Sequence, residues 1–148
     1  MPNKVCFLSG YFNRFDLESK SQGGAEFQNY LLKNLLEKER VRVYFISIGD
    51  RNEIYHDADT TIHYIAKKKL TRRFGDNFFL YIPQVYSLLK IIDPEYVYLR
   101  GGISWGGIGA YYAKRFGKKF IWALASDEDV FPLNHLKLTS YIFNSIDR

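Results

Sequence analysis

Three places in this chain combine residues able to do chemistry with glycines that let a ligand come close. Gly23-Gly24 stands between a short apolar run, Lys4 to Ser9, and a leucine-rich segment with helical spacing. A glycine pair at a helix start leaves backbone amides open to an anion, and the helix dipole favours negative charge there. A diphosphate fits such a turn, and so does a tight entry into the helix with no ligand. Arg100-Gly101-Gly102 sets a guanidinium, with its fixed fork of donors, beside flexible backbone, an arrangement suited to phosphate or to sugar hydroxyls. Ser126-Asp127-Glu128-Asp129 supplies carboxylates for general-base work or for binding hydroxyls, although helix N-capping suffices for at least one of them.

A fourth feature is the basic block of Lys67, Lys68, Lys69, Arg72 and Arg73, which precedes Phe74, Phe78 and Phe79. Such a run is commonly a solvated loop. Cations followed by rings also bind anionic membrane surfaces, at roughly 1 kcal/mol per cation. The net charge of +5 favours anionic partners in general. No helix-turn-helix or stacking-platform pattern accompanies the block, so no nucleic acid partner is expected. Gly106-Gly107-x-Gly109 lacks the spacing of a dinucleotide fingerprint, and close packing of a helix on a sheet explains it better. Cys6 is the only cysteine, which excludes an intrachain disulfide, and with His56, His63 and His135 it makes no zinc-type ligand set, so no metal is expected. A reducing, cytoplasmic compartment fits that usage. No P-loop, nucleophile triad or phospho-acceptor receiver pattern is present.

The elements that must position these residues alternate along the chain. Lys4–Ser9 reads as a strand buried on both faces, and Gly24 opens an amphipathic helix carrying Ala25, Phe27, Tyr30, Leu31, Leu35 and Leu36, with Lys33, Lys38 and Arg40 toward its end. Val41–Ile48 and Thr61–Ala66 are the next strands, rich in β-branched and aromatic residues. A helix from Pro83 to Ile92, a strand from Tyr96 to Arg100, a helix from about Trp105 to Phe116 and a strand from Lys119 to Leu124 complete the series. At 148 residues this is one domain. The alternation predicts an α/β fold, a Rossmann-like parallel sheet with helices on both faces. In such sheets the ligand lies beyond the carboxyl ends of the strands where strand order reverses, between the first and fourth strands here. The abundant Tyr and Phe predict a ring-packed core, and no stretch is long and apolar enough to span a bilayer.

In this order and spacing the chain resembles the N-terminal domain of glycosyltransferase family 4, retaining enzymes built from two Rossmann domains (GT-B). The resemblance spans nearly all 148 residues. It is carried by Gly23-Gly24-Ala25-Glu26 with the helix that follows, by Val41–Ile46, by Asp93-Pro94 through Gly102, and by Phe120 through Asp127. It implies a hexosyltransferase-type enzyme that moves a sugar, with retention, from a nucleotide-sugar donor to a saccharide or lipid-linked acceptor, with no cofactor besides that substrate. Gly23 and Gly24 would approach the donor, Arg100, Gly101 and Gly102 would border the acceptor, and Ser126 and Asp127 would face the reacting centre. Many members carry His where Ser126 stands, so a donor contact attributed to that ring does not transfer.

The resemblance further implies that residues 1–148 are the acceptor-side domain, that the C-terminal donor-nucleotide domain with its paired glutamates is absent from this chain, and that the chain alone is inactive. Glu18 and Glu26 match the spacing of that pair only by accident. Lys67 to Arg73 would rest on the inner face of the membrane. The competing expectation is a free-standing, non-catalytic α/β module that holds an anionic ligand or partner.

Overall fold

The apolar run near the start of the chain is buried along its length from Val5 to Leu8, as a strand must be when helices cover both of its faces. The computed structural model describes residues 3–9, 24–57, 59–66, 78–100 and 105–123. In chain order the elements are β1 (Lys4–Leu8), α1 (Gly24–Lys38), β2 (Arg42–Gly49), β3 (Glu53–Asp57), β4 (Thr60–Ala66), a 3-10 turn (Phe78–Tyr81), α2 (Ile82–Ile92), β5 (Tyr96–Arg100), α3 (Gly106–Phe116) and β6 (Lys119–Ala123). They form a six-stranded sheet of order β3-β4-β2-β1-β5-β6. All neighbours pair in parallel except β3, which runs antiparallel to β4. The fold is therefore mixed α/β and Rossmann-like. Among the described residues no helix is long and apolar enough to cross a membrane.

Two apolar layers sandwich the sheet. On one face Cys6, Leu8, Ile46, Val97 and Leu99 pack with Val85 and Leu89 of α2 and Tyr112 of α3. On the other, Val5, Phe7, Val43, Phe45 and Ile62 receive Leu32 and Leu36 of α1. Rings dominate here as the composition predicts: Phe7 stacks on Phe45 at 4.7 Å and meets Tyr98 at 5.0 Å.

The strand β3 was not predicted. Its residues, Glu-Ile-Tyr-His-Asp, are mostly polar because only one edge of the strand is paired and little of it is buried. A second difference concerns α1. The expected apolar face included Leu31 and Leu35, yet these are 45% and 59% exposed, while Lys33 is buried. The doublets Leu31-Leu32 and Leu35-Leu36 offer two stripes about 100° apart, and the sheet takes the Leu32/Leu36 stripe. That rotation brings Lys33 to the margin of the hairpin formed by β3 and β4, where its ammonium lies 3.2 Å from Glu37 and 4.0 Å from Asp57. Glu37 in turn accepts a hydrogen bond of 2.6 Å from the Thr60 hydroxyl.

At the amino ends of the strands the chain is sewn together. Lys4 donates its backbone N–H to the Glu95 carboxylate and its ammonium to the Ile92 carbonyl at 2.8 Å. Asp93, the left-handed C-cap of α2, accepts from the Tyr112 hydroxyl at 3.2 Å and pairs with Lys118 at 2.9 Å. Both bonds hold α3 and the start of β6 against the end of α2.

Close packing does account for Gly109, on the inner side of α3. A Cβ built there would lie 2.7 Å from the Phe120 ring and 3.0 Å from Leu8, whereas at Gly106 it would meet Leu99 at an ordinary 3.4 Å. Gly109→Ala is therefore expected to lower stability by about 1–2 kcal/mol in urea denaturation, although alanine gains about 1 kcal/mol of helix propensity. Gly106→Ala should be neutral or slightly stabilising in the same measurement.

Candidate functional site

Because every strand but β3 points the same way, the carboxyl ends of β1, β2, β4, β5 and β6 share one rim. Each segment with chemical potential in the sequence is attached there. Residues 10–23 follow β1, 67–77 follow β4, 101–104 follow β5, and 124 onward follow β6. Strand order reverses between β1 and β5, whose ends pair as Leu8 with Leu99, so the switch point falls where the alternation predicts it. Gly23, Gly101, Gly102, Ser126, Asp127, Lys67, Lys68, Lys69, Arg72 and Arg73 lie outside the described residues. Gly24 and Arg100 are within them.

The backbone places those two on the same face and the same rim. α1 ends at Lys38, and Arg42 then begins β2 beside Lys4, so the helix C-terminus sits at the amino rim. Its 15 residues span about 22 Å at 1.5 Å per residue. A five-residue strand such as β1 spans only about 17 Å. The N-terminus at Gly24 thus reaches the carboxyl rim, with its first amide groups and the positive end of its dipole. In β5, Val97 and Leu99 face α2 and α3 while Tyr96 and Tyr98 face the α1 side, and Arg100 continues the latter alternation. On the opposite face α3 starts at Gly106, against Leu99. The carboxyl rim therefore carries the N-terminus of α1 on one face of the sheet and that of α3 on the other.

Arg100 itself is partly buried, and its Nε is enclosed with no hydrogen-bond partner among the described residues. A buried N–H without an acceptor costs about 1–3 kcal/mol, a cost that an anionic or hydroxylated ligand would remove. Other titratable groups have structural explanations. Burial pushes the Cys6 thiol far up, so it stays protonated and is no nucleophile. Tyr112 is likewise raised, first by burial and then by the neighbouring Asp93, and Asp93 is held below the usual carboxylate range chiefly by its bond to Lys118. Both belong to the amino rim, away from the switch point. His63, in β4, is pushed down by burial and secondarily by His56. In the sequence His63 belongs only to a set of histidines that makes no metal site; its burial beside the edge strand β3 is what sets it apart.

Protein-family models and curated proteins give no match to this chain. Among solved structures, sucrose-phosphate synthase from Thermosynechococcus elongatus is similar to it, with a TM-score of 0.57 over 84% of this chain. The chain has a Rossmann-like fold similar to part of a GT-B glycosyltransferase. Identity is 14%, so the likeness is one of fold, and the chain spans 33% of that protein.

Two measurements probe the described part of the site. Arg100→Met keeps the apolar stem and removes the unpaired N–H, so it should unfold at the same or a slightly higher urea concentration; a loss above about 2 kcal/mol would make Arg100 a structural residue instead. For His63 the folded-state value is depressed, so its neutral form contributes stability that is present above the unfolded value of 6.5 and lost as pH falls through the folded one. His63→Gln, which takes up no proton, is expected to lose less stability than the native chain between about pH 7 and 5 in paired urea titrations.

Proposed function

We propose that this chain is the acceptor-side part of a retaining glycosyltransferase of family 4, which moves a sugar from a nucleotide-sugar donor to a saccharide or lipid-linked acceptor. The observation that supports the reading best is that the α1 N-terminus at Gly24 and Arg100, whose Nε has no partner among the described residues, share one face of the rim at the switch point. The shared fold with a sucrose-phosphate synthase is in keeping with it. In this reading backbone amides at Gly23 and Gly24 lie against the donor phosphates, and Arg100 with Gly101 and Gly102 borders the acceptor. Ser126 and Asp127 face the reacting centre. The bond from the sugar to the donor diphosphate breaks and one to an acceptor hydroxyl forms, so the protein acts by positioning the partners and by stabilising the departing diphosphate. No further cofactor is required. Lys67 to Arg73 would hold the protein against the cytoplasmic face of an anionic membrane.

The test is release of nucleoside diphosphate by the natural protein from a panel of nucleotide sugars, with saccharide and lipid-linked acceptors supplied. Turnover is expected with at least one pair, and Arg100→Ala should reduce it about tenfold or more, the loss of one charge-assisted contact. Binding of nucleoside diphosphate without turnover on any acceptor would favour the non-catalytic module. Absence of both would sink the transferase reading.

A further inference from the structure

A pocket of about 590 Å³ opens between the hairpin of β3 and β4 and the first turns of α2. It lies two strands away from β1, about 10 Å across the sheet. Its floor belongs to the α2 side, because Ile65 joins the core layer packed by α2 and His63 shares that alternation. It is therefore separate from the switch point and from the face that carries Arg100. Its size is that of a small-molecule site, about 300–1,000 Å³.

The lining selects a chemistry. His63 is only 9% exposed, stacks on Tyr44 at 6.5 Å, lines the pocket, and has no hydrogen-bond partner among the described residues. Gln84 and Ser87 present an amide and a hydroxyl from the first turns of α2. Ile54 and Leu88 add apolar surface around these groups. Among the described residues no Lys or Arg lines the pocket, and the one carboxylate that does, Glu53, is paired with Arg51 at 3.1 Å. A phosphate or carboxylate ligand would meet the Glu53 carboxylate and no unpaired cation among these lining residues. A purely apolar ligand would bury His63, Gln84 and Ser87 against carbon and leave them unpaired, which is costly. A ring with hydroxyls at its edge and C–H groups on its face satisfies both kinds of lining.

We propose that this pocket is a binding site for a neutral saccharide, distinct from the place where sugar transfer would occur. His63 offers one ring nitrogen as donor and the other as acceptor, Gln84 and Ser87 add further partners, and the sugar's C–H face packs on Ile54 and Leu88.

The full chain, fluorescently labelled, should be retained on printed neutral oligosaccharides and not on uronic-acid or phosphorylated ones. Ser87→Trp, which fills the pocket from an exposed helix position, should weaken that retention about tenfold or more, and His63→Ala should do so by a similar factor, the loss of about one hydrogen bond. Arg100→Ala should leave it unchanged. Retention restricted to charged glycans, retention indifferent to Ser87→Trp, or none on any neutral glycan overturns the proposal. The transferase reading is tested separately by nucleoside diphosphate release and by Arg100→Ala, so either can fail while the other stands.

Discussion

Everything in this fold turns on β1 being the parallel partner of β2 and β5 at once. A strand in that position has no free edge and no free face, which is why Val5, Cys6, Phe7 and Leu8 are all apolar and buried. From β1 the chain moves one way to β2 and later returns the other way, from β4 past β1 to β5. Right-handed crossovers then put α1 on one face and α2 and α3 on the other. The divergence sets the reversal of strand order at the carboxyl ends of β1 and β5, and the N-terminus of α1 and the end of β5 at Arg100 share that rim by topology rather than by local sequence.

Legibility in the sequence follows burial. The strand β5 stands where the sequence reading placed it, because Tyr-Val-Tyr-Leu-Arg alternates cleanly between two packed faces and is bounded by Pro94 and by glycines. β3 was invisible because an edge strand needs no apolar face, and a run such as Glu-Ile-Tyr-His-Asp reads as loop. α1 was recognised as a helix but turned by one stripe, because two leucine doublets make its apolar face ambiguous until the hairpin supplies Asp57 and Thr60 as partners for Lys33 and Glu37.

The same rule divides the candidate site. The position of Arg100 at the end of β5 was legible, and its placement on the α1 side follows from strand alternation alone. The packing role of Gly109 was also legible, since a glycine inside a helix needs a neighbour that forbids a side chain, and Phe120 is that neighbour. His63 carried no such mark. Its environment is made by an edge strand and a helix far apart in sequence, so only the assembled sheet reveals a half-stacked imidazole facing open space.

The bonds from Lys4 to Glu95 and Ile92, and from Asp93 to Tyr112 and Lys118, all lie at one end of the strands. That end of the sheet is consequently tied to α2 and α3 by side-chain bonds as well as by packing. Residues at the stitched end are constrained by one another, so change there must be concerted. Loss of any one of Lys4, Asp93, Glu95, Tyr112 or Lys118 would leave a hydrogen-bonding group of this seam without its mate.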